Sequence, residues 1–135
     1  MAENKGFTLI EIITVIAIIT VIATIIIPSY MRARFRSNYA QCQSNCKNIG
    51  TALEMYSSNN MGHYPKAMAD LTPNYLKIIP LCSMVDAETY SGSYQVGTGP
   101  DAYTFYCSGS NHVNINVAPN YPQFNSIEGL ISKQS

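Results

Sequence analysis

An α+β fold, in which a long N-terminal helix packs its second half on a small antiparallel sheet, is predicted by three observations on this 135-residue chain. From Phe7 to Ile27 the sequence is apolar and carries a single charge, Glu11. From Tyr39 to Tyr56 apolar residues recur at steps of three and four, the period of one helix face. Beyond Cys82 the apolar period falls to two, the period of a strand with one face covered.

Taken in order, the run Phe7–Ile27 spans roughly 31 Å as a helix, the thickness of a bilayer core. A lone carboxylate in hydrocarbon costs about 2.5–3.5 kcal/mol near a helix centre, so Glu11 needs a partner. No Lys, Arg or His between Phe7 and Ile27 can supply one. Pro28 lacks an N–H and disfavours helical geometry at Ile27, so a bend or local opening is expected there. Thr14, Thr20, Thr24 and the β-branched residues around them make the run a weak intrinsic helix outside lipid.

Helical patterning then resumes. Tyr39, Cys42, Cys46, Ile49, Leu53 and Tyr56 line one face, while Arg34, Asn38, Gln41, Asn45, Lys47, Asn48 and Glu54 occupy the others, too polar for a second span. One helix from about Phe7 to Ser57 is expected, ended by left-handed residues among Asn59, Asn60 and Gly62. Pro65, Pro73 and Pro80 leave room only for short turns in the next stretch, with Thr72 and Pro73 as an N-cap and first-turn pair. Three strands are predicted around Tyr94 and Val96, around Tyr103, Phe105 and Cys107, and around Val113, Ile115 and Val117. Gly97–Asp101 and Ser108–Asn111 form the turns between them. In the tail Ile127, Leu130 and Ile131 are its anchors.

The block Lys5-Gly6-Phe7-Thr8-Leu9-Ile10-Glu11 resembles the processing site of type IV pilins and type II secretion pseudopilins. The resemblance implies a pilin-like fold, cleavage between Gly6 and Phe7 by a membrane prepilin peptidase, N-methylation of Phe7, and retention of the apolar helix. An ordinary signal peptide would be cut after its apolar run, where Ala23 and Thr24 make a poor A-x-A site. Cleavage frees a cationic amine at Phe7, and the amine of a neighbouring subunit can meet Glu11. An ion pair in a dry bundle sets register, since an unpaired partner would stay buried and charged. The resemblance also implies a proline at the place of Pro28, with helix lost before it in the filament. Thr20 stands where many relatives have glycine. The expected organisation is a cleaved leader 1–6, a transmembrane and filament-core half-helix 7–29, an amphipathic half-helix 30–60, a connecting loop 61–81, and a sheet and tail 82–135.

The function these features imply is a structural subunit, not an enzyme, of a type IV pilus-like extracellular filament. The alternatives are a pseudopilin of a type II secretion system and a membrane-tethered periplasmic binding module. Implied partners are further copies of the chain in a helical filament, the prepilin peptidase, an inner-membrane assembly platform and, before assembly, membrane lipid. Eight Lys and Arg balance eight Asp and Glu, which argues against sequence-specific nucleic-acid binding. Arg32, Arg34 and Arg36 would place the C-terminal part in the cytoplasm by the positive-inside rule. Four cysteines favour an oxidising compartment instead, and the resemblance implies an inner-membrane precursor oriented N-in, C-out, then a periplasmic or cell-surface filament. Phe7, Tyr30, Phe35 and Tyr39 suit interfacial anchoring and packing between subunits better than a path for electrons.

No cofactor is expected. Gly99, Asp101, Asn111, Asn114, Asn116 and Asn120 offer one carboxylate, too few hard ligands for the calcium loop that many secretion pseudopilins carry. Cys42, Cys46, Cys82, Cys107, His63 and His112 are read as disulfide and loop residues rather than a metal site, because the spacing of Cys42 and Cys46 is unlike a zinc knuckle. Four cysteines allow three pairings. Cys82 before the first strand and Cys107 at the close of the second would be neighbours in a hairpin, which favours a Cys82–Cys107 disulfide worth on the order of 3 kcal/mol. Cys42 and Cys46 share a helix face with poorly directed Cβ vectors and form a possible second thiol pair. A competing arrangement joins each of them to one of the sheet cysteines.

Overall fold

The computed structural model describes residues 6–97 and 102–132. Its elements are helix α1 (Leu9–Asn59), short 3-10 turns at Met68–Leu71, Ser91–Ser93 and Val113–Ile115, and strands β1 (Gln95–Val96), β2 (Tyr103–Tyr106), β3 (Gln123–Asn125) and β4 (Gly129–Ile131). The chain divides into two units, Met1–Arg34 and Phe35–Ser135, and α1 contributes to both.

Within the first unit α1 is long and apolar enough to cross a membrane, and large apolar side chains from Leu9 to Ile27 lie exposed. Its threonines do not leave polar groups stranded in that surface. Thr14 Oγ1 donates to the carbonyls of Ile10 and Glu11 at 3.0 and 2.9 Å, Thr20 Oγ1 to Ile16 at 2.7 Å, and Thr24 Oγ1 to Val21 at 2.7 Å. A hydroxyl satisfied by its own helix escapes the cost of an unpaired polar group in lipid. The helix runs without a break through Pro28, so of the bend or local opening expected there the opening is not seen.

In the second unit, the predicted face of α1 is the buried one. Tyr39, Cys42, Cys46, Ile49 and Leu53 are buried, and Tyr56 is half-buried. Asn45, expected on a polar face, is buried as well, because its Nδ2 donates to the Leu81 carbonyl at 2.8 Å. A buried amide is tolerated when a carbonyl accepts from it. The helix ends at left-handed Met61 and Gly62, where the Gly62 N–H returns to the Ser57 carbonyl at 2.9 Å and Asn60 Nδ2 caps Tyr56 at 2.8 Å. Asn60 therefore ends the helix through its side chain, and Met61 takes the left-handed position.

The sheet is an antiparallel meander in the order β1-β2-β3-β4. Tyr103 and Phe105 point inward from β2 and pack with Ile49 and Leu53, as the period of two requires. Phe105 pairs across strands with Phe124, their rings stacked at 5.6 Å. Two readings of the sequence are corrected. Val113–Ile115 is a 3-10 turn rather than a strand, because the Ile115 and Val117 amides bond back to His112 and Asn116 is left-handed. The tail supplies the missing strands as the β3–β4 hairpin, with Asn125 Oδ1 accepting from the Ile127 amide and Gly129 at φ 72°. The Thr72–Pro73 pair closes one turn and begins another: Thr72 is the C-cap of Met68–Leu71 with its Oγ1 donating to the Ala69 carbonyl at 2.9 Å, and the Tyr75 and Leu76 amides then bond back to the Leu71 carbonyl, so Thr72 does not act as the expected N-cap.

Gly50 is required by packing. A Cβ there would lie 2.6 Å from Cε1 and Cζ of Phe124. Alanine gains about 1 kcal/mol of helix propensity, but overlap in a packed core costs about 1–3 kcal/mol. Phe124 has little freedom to yield because it also stacks on Tyr103 and Phe105. Gly50→Ala is expected to lower the thermal midpoint of the detergent-solubilised chain, and an unchanged midpoint would show that the ring yields at no cost.

Candidate functional site

The N-terminal site is built around the start of α1. Gly6, Phe7 and Thr8 precede the helix and are exposed, Phe7 at 84%. The Gly6–Phe7 peptide is therefore non-helical backbone open to a protease cleft. Nothing lies within 4 Å of a Cβ built on Gly6, so the packing of the chain itself does not demand glycine there.

Thr8 and Glu11 form a reciprocal capping box. The Thr8 N–H and Oγ1 both donate to Glu11 Oε2 at 2.7 Å, and the Glu11 N–H approaches Thr8 Oγ1 at 3.4 Å. The arrangement satisfies donors that a helix N-terminus otherwise leaves without partners. Its signal, Thr8 three residues before Glu11, is legible in the sequence and was missed beside the single charge. Both Thr8 donors use one carboxylate oxygen, and a carboxylate has roughly four acceptor positions on two oxygens. Glu11 can thus cap its own helix and still accept another cation. Cleavage at Gly6–Phe7 leaves the Thr8 N–H, and with it the box, intact.

Residues 1–27 match the family model of the prokaryotic N-terminal methylation motif, a motif typical of type IV pilins and pseudopilins. The match covers the N-terminal segment and does not extend to the second unit. Searches of the curated proteins and of the solved structures return no match. The motif and the apolar helix together fit a membrane-anchored precursor of a processed filament protein.

The cysteines lie elsewhere. All four are buried and free. Cys82 opens a tight turn, its N–H donating to the Ala87 carbonyl and its carbonyl accepting from the Val85 and Asp86 amides, well before the first strand at Gln95, and its Sγ lies within 4.8 Å of Cys107 Sγ, the proximity the expected pairing needs. Cys42 Sγ and Cys82 Sγ lie 3.3 Å apart, the proximity the competing arrangement needs. Cys46 packs in the same core and makes no bond to Cys42. Of the residues considered for calcium, Gly99 and Asp101 lie outside the described residues. Asn111 and Asn120 hold turns, donating to the Ser108 carbonyl and accepting from the Gly109 amide at 2.9 Å each.

His112, expected to be a loop residue, is 2% exposed and faces the sulfurs, with Nε2 3.9 Å from Cys82 Sγ and 3.8 Å from Cys107 Sγ. His63 is exposed and far from this group in role. Hydrogen bonds with Cys107 and Cys42 hold the Cys82 thiol well below its ordinary range, and hydrogen bonds with Cys107 and Cys82, with burial, push Cys42 up. Burial opposes a charged His112, but the Cys107 and Cys82 sulfurs outweigh it and raise the imidazole to about 9. Burial, with the nearby Cys107 and Cys82 sulfurs adding to it, lifts Cys46 to about 12.

Proposed function

We propose that this chain is a non-enzymatic structural subunit of a type IV pilus-like filament, cut between Gly6 and Phe7 by a prepilin peptidase and N-methylated at Phe7. The observation that carries the reading is the methylation motif over residues 1–27, continuous with an exposed apolar helix whose one carboxylate keeps acceptor capacity beyond its own cap. Residues 7–29 form the membrane anchor of an N-in, C-out precursor and then the filament core, with Glu11 receiving the Phe7 amine of a neighbouring subunit. Contacts of this head-to-tail kind do not close on themselves and generate a fibre. The helix half 30–60, loop 61–81 and sheet region 82–135 form the surface of that fibre.

The test is deletion of the gene, followed by electron microscopy for surface fibres and assay of exoprotein release. Loss of fibres labelled by this chain supports the pilus reading, whereas retained exoproteins with unaltered fibres would replace it with a secretion pseudopilin. Mass spectrometry of the assembled subunit should give an N-methylated Phe7 start. Gly6→Val should leave uncut precursor in the inner membrane, an effect on the peptidase rather than on folding, because the site around Gly6 is open. Fibres whose subunits still carry residues 1–6 would refute the processing step.

A further inference from the structure

Three cysteines and a histidine from separate parts of the second unit meet in one buried pocket. Cys42 comes from α1, Cys82 from the turn after the connecting loop, Cys107 from the residue after β2, and His112 from the lead-in to the Val113–Ile115 turn. The three Sγ atoms and a His112 ring nitrogen all lie within 4.8 Å of one another. We propose that these four side chains are a structural zinc site.

The geometry distinguishes this from a disulfide. Zinc bonds of about 2.3 Å to sulfur and about 2.0 Å to nitrogen place tetrahedral ligands roughly 3.8 Å apart for S···S and 3.5 Å for S···N. The Cys42–Cys82 contact of 3.3 Å is shorter than the S···S edge and the His112 contacts of 3.9 and 3.8 Å to Cys82 and Cys107 are longer than the S···N edge, each by no more than about 0.5 Å, which small side-chain rotations take up. A Cys42–Cys82 disulfide would account for two of the four groups and leave Cys107 and His112 facing a sealed pocket. His112 packs edge-on to the Tyr39 ring at 5.0 Å, its Nδ1 has no hydrogen bond among the described residues, and Nε2 faces only the sulfurs. An ion uses all four.

The surroundings suit bound thiolates. Thr89 Oγ1 lies 3.3 Å and Asn111 Nδ2 3.5 Å from Cys107 Sγ. Such donors orient the ligands and spread their charge. On binding, the three cysteines ligate as thiolates and His112 as neutral imidazole, the protons these four groups held pass to water, and the site carries one net negative charge. Complete ligation by protein and near-total burial make the ion structural: no position is left for water, and no substrate reaches a nucleophile. Thiolate and imidazole donors are soft and favour zinc over calcium or magnesium. The ion would tie α1 to the sheet, the task a disulfide performs in many extracytoplasmic domains.

The experiment uses the full-length chain, purified in detergent from cell envelopes without reductant or added metal. Elemental analysis and native mass spectrometry should find one zinc per chain, and denaturing thiol titration should find all four cysteines free. Cobalt exchange should give the ligand-field and thiolate charge-transfer bands of a tetrahedral site. Cys107→Ser and His112→Ala should each lose the metal, whereas Cys46→Ser, buried but outside the four, should keep it. Should Cys107→Ser fail to fold, chelation of the wild-type chain gives the second reading, with loss of the ion and a lower thermal midpoint expected. A Cys42–Cys82 or Cys82–Cys107 disulfide in the isolated chain, zinc-free protein whose melting ignores chelator, or full zinc retention by a folded Cys107→Ser or His112→Ala would overturn the proposal.

Discussion

A Glu11→Ala chain is expected to be cut at Gly6–Phe7 and yet to build no filaments when it is the sole subunit. Two effects of the substitution are local. It removes a carboxylate whose burial in hydrocarbon costs about 2.5–3.5 kcal/mol near mid-membrane, which eases insertion. It also breaks the exposed box with Thr8, a small local loss at one end of a long helix. Neither is large enough to prevent assembly. The decisive term is between subunits, where a buried Phe7 amine left without Glu11 costs about 3–5 kcal/mol at every joint of the fibre. Thr8→Ala separates the two roles, since it breaks the box and keeps the carboxylate. That variant should assemble, with its processing checked by mass spectrometry. Normal fibre yield from Glu11→Ala, or equal failure of Thr8→Ala after normal cleavage, would reduce Glu11 to a helix cap.

What could be read from the residues alone divides along the range of the interactions. The burial of Tyr39, Cys42, Cys46, Ile49 and Leu53 was legible because a helix repeats its environment every 3.6 residues. Tyr103, Phe105 and Cys107 were legible through the period of two. Alternation misled at Val113, Ile115 and Val117, where the interposed Asn114 and Asn116 favour turns and Asn116 is in fact left-handed. Only Val117 of that trio is buried. The β3–β4 hairpin went unseen because its strands are short and half-buried. At the N-terminus the cleavage motif and Glu11 were plain, and the Thr8 contact was equally local. The sulfur and imidazole cluster was not, since Cys42, Cys82 and Cys107 meet only after the helix, the connecting loop and the sheet have packed. The one short-range hint was His112 following Cys107 within the same loop.

Phe105→Ala is expected to be the most destabilising single change in the second unit, without touching the processing site. Phe105 is fully buried and stacks on both Tyr103 and Phe124, so truncation removes apolar contacts on two sides and leaves a cavity that the two rigid flanking rings cannot close. Losses of this kind run to about 3–5 kcal/mol. Domains of this size are stable by about 5–15 kcal/mol, so a large share of the margin disappears. Phe105→Leu keeps much of the volume and should cost less. Urea unfolding of the detergent-solubilised chain, followed by tyrosine fluorescence, measures both, with a lower midpoint and an unchanged slope expected. Because Gly6, Phe7 and Glu11 lie in the other unit, cleavage and methylation of Phe105→Ala should proceed as in the wild type, while fewer subunits survive to enter fibres. Loss of cleavage in Phe105→Ala would contradict this, showing that the peptidase depends on the folded second unit as well as on the N-terminal segment.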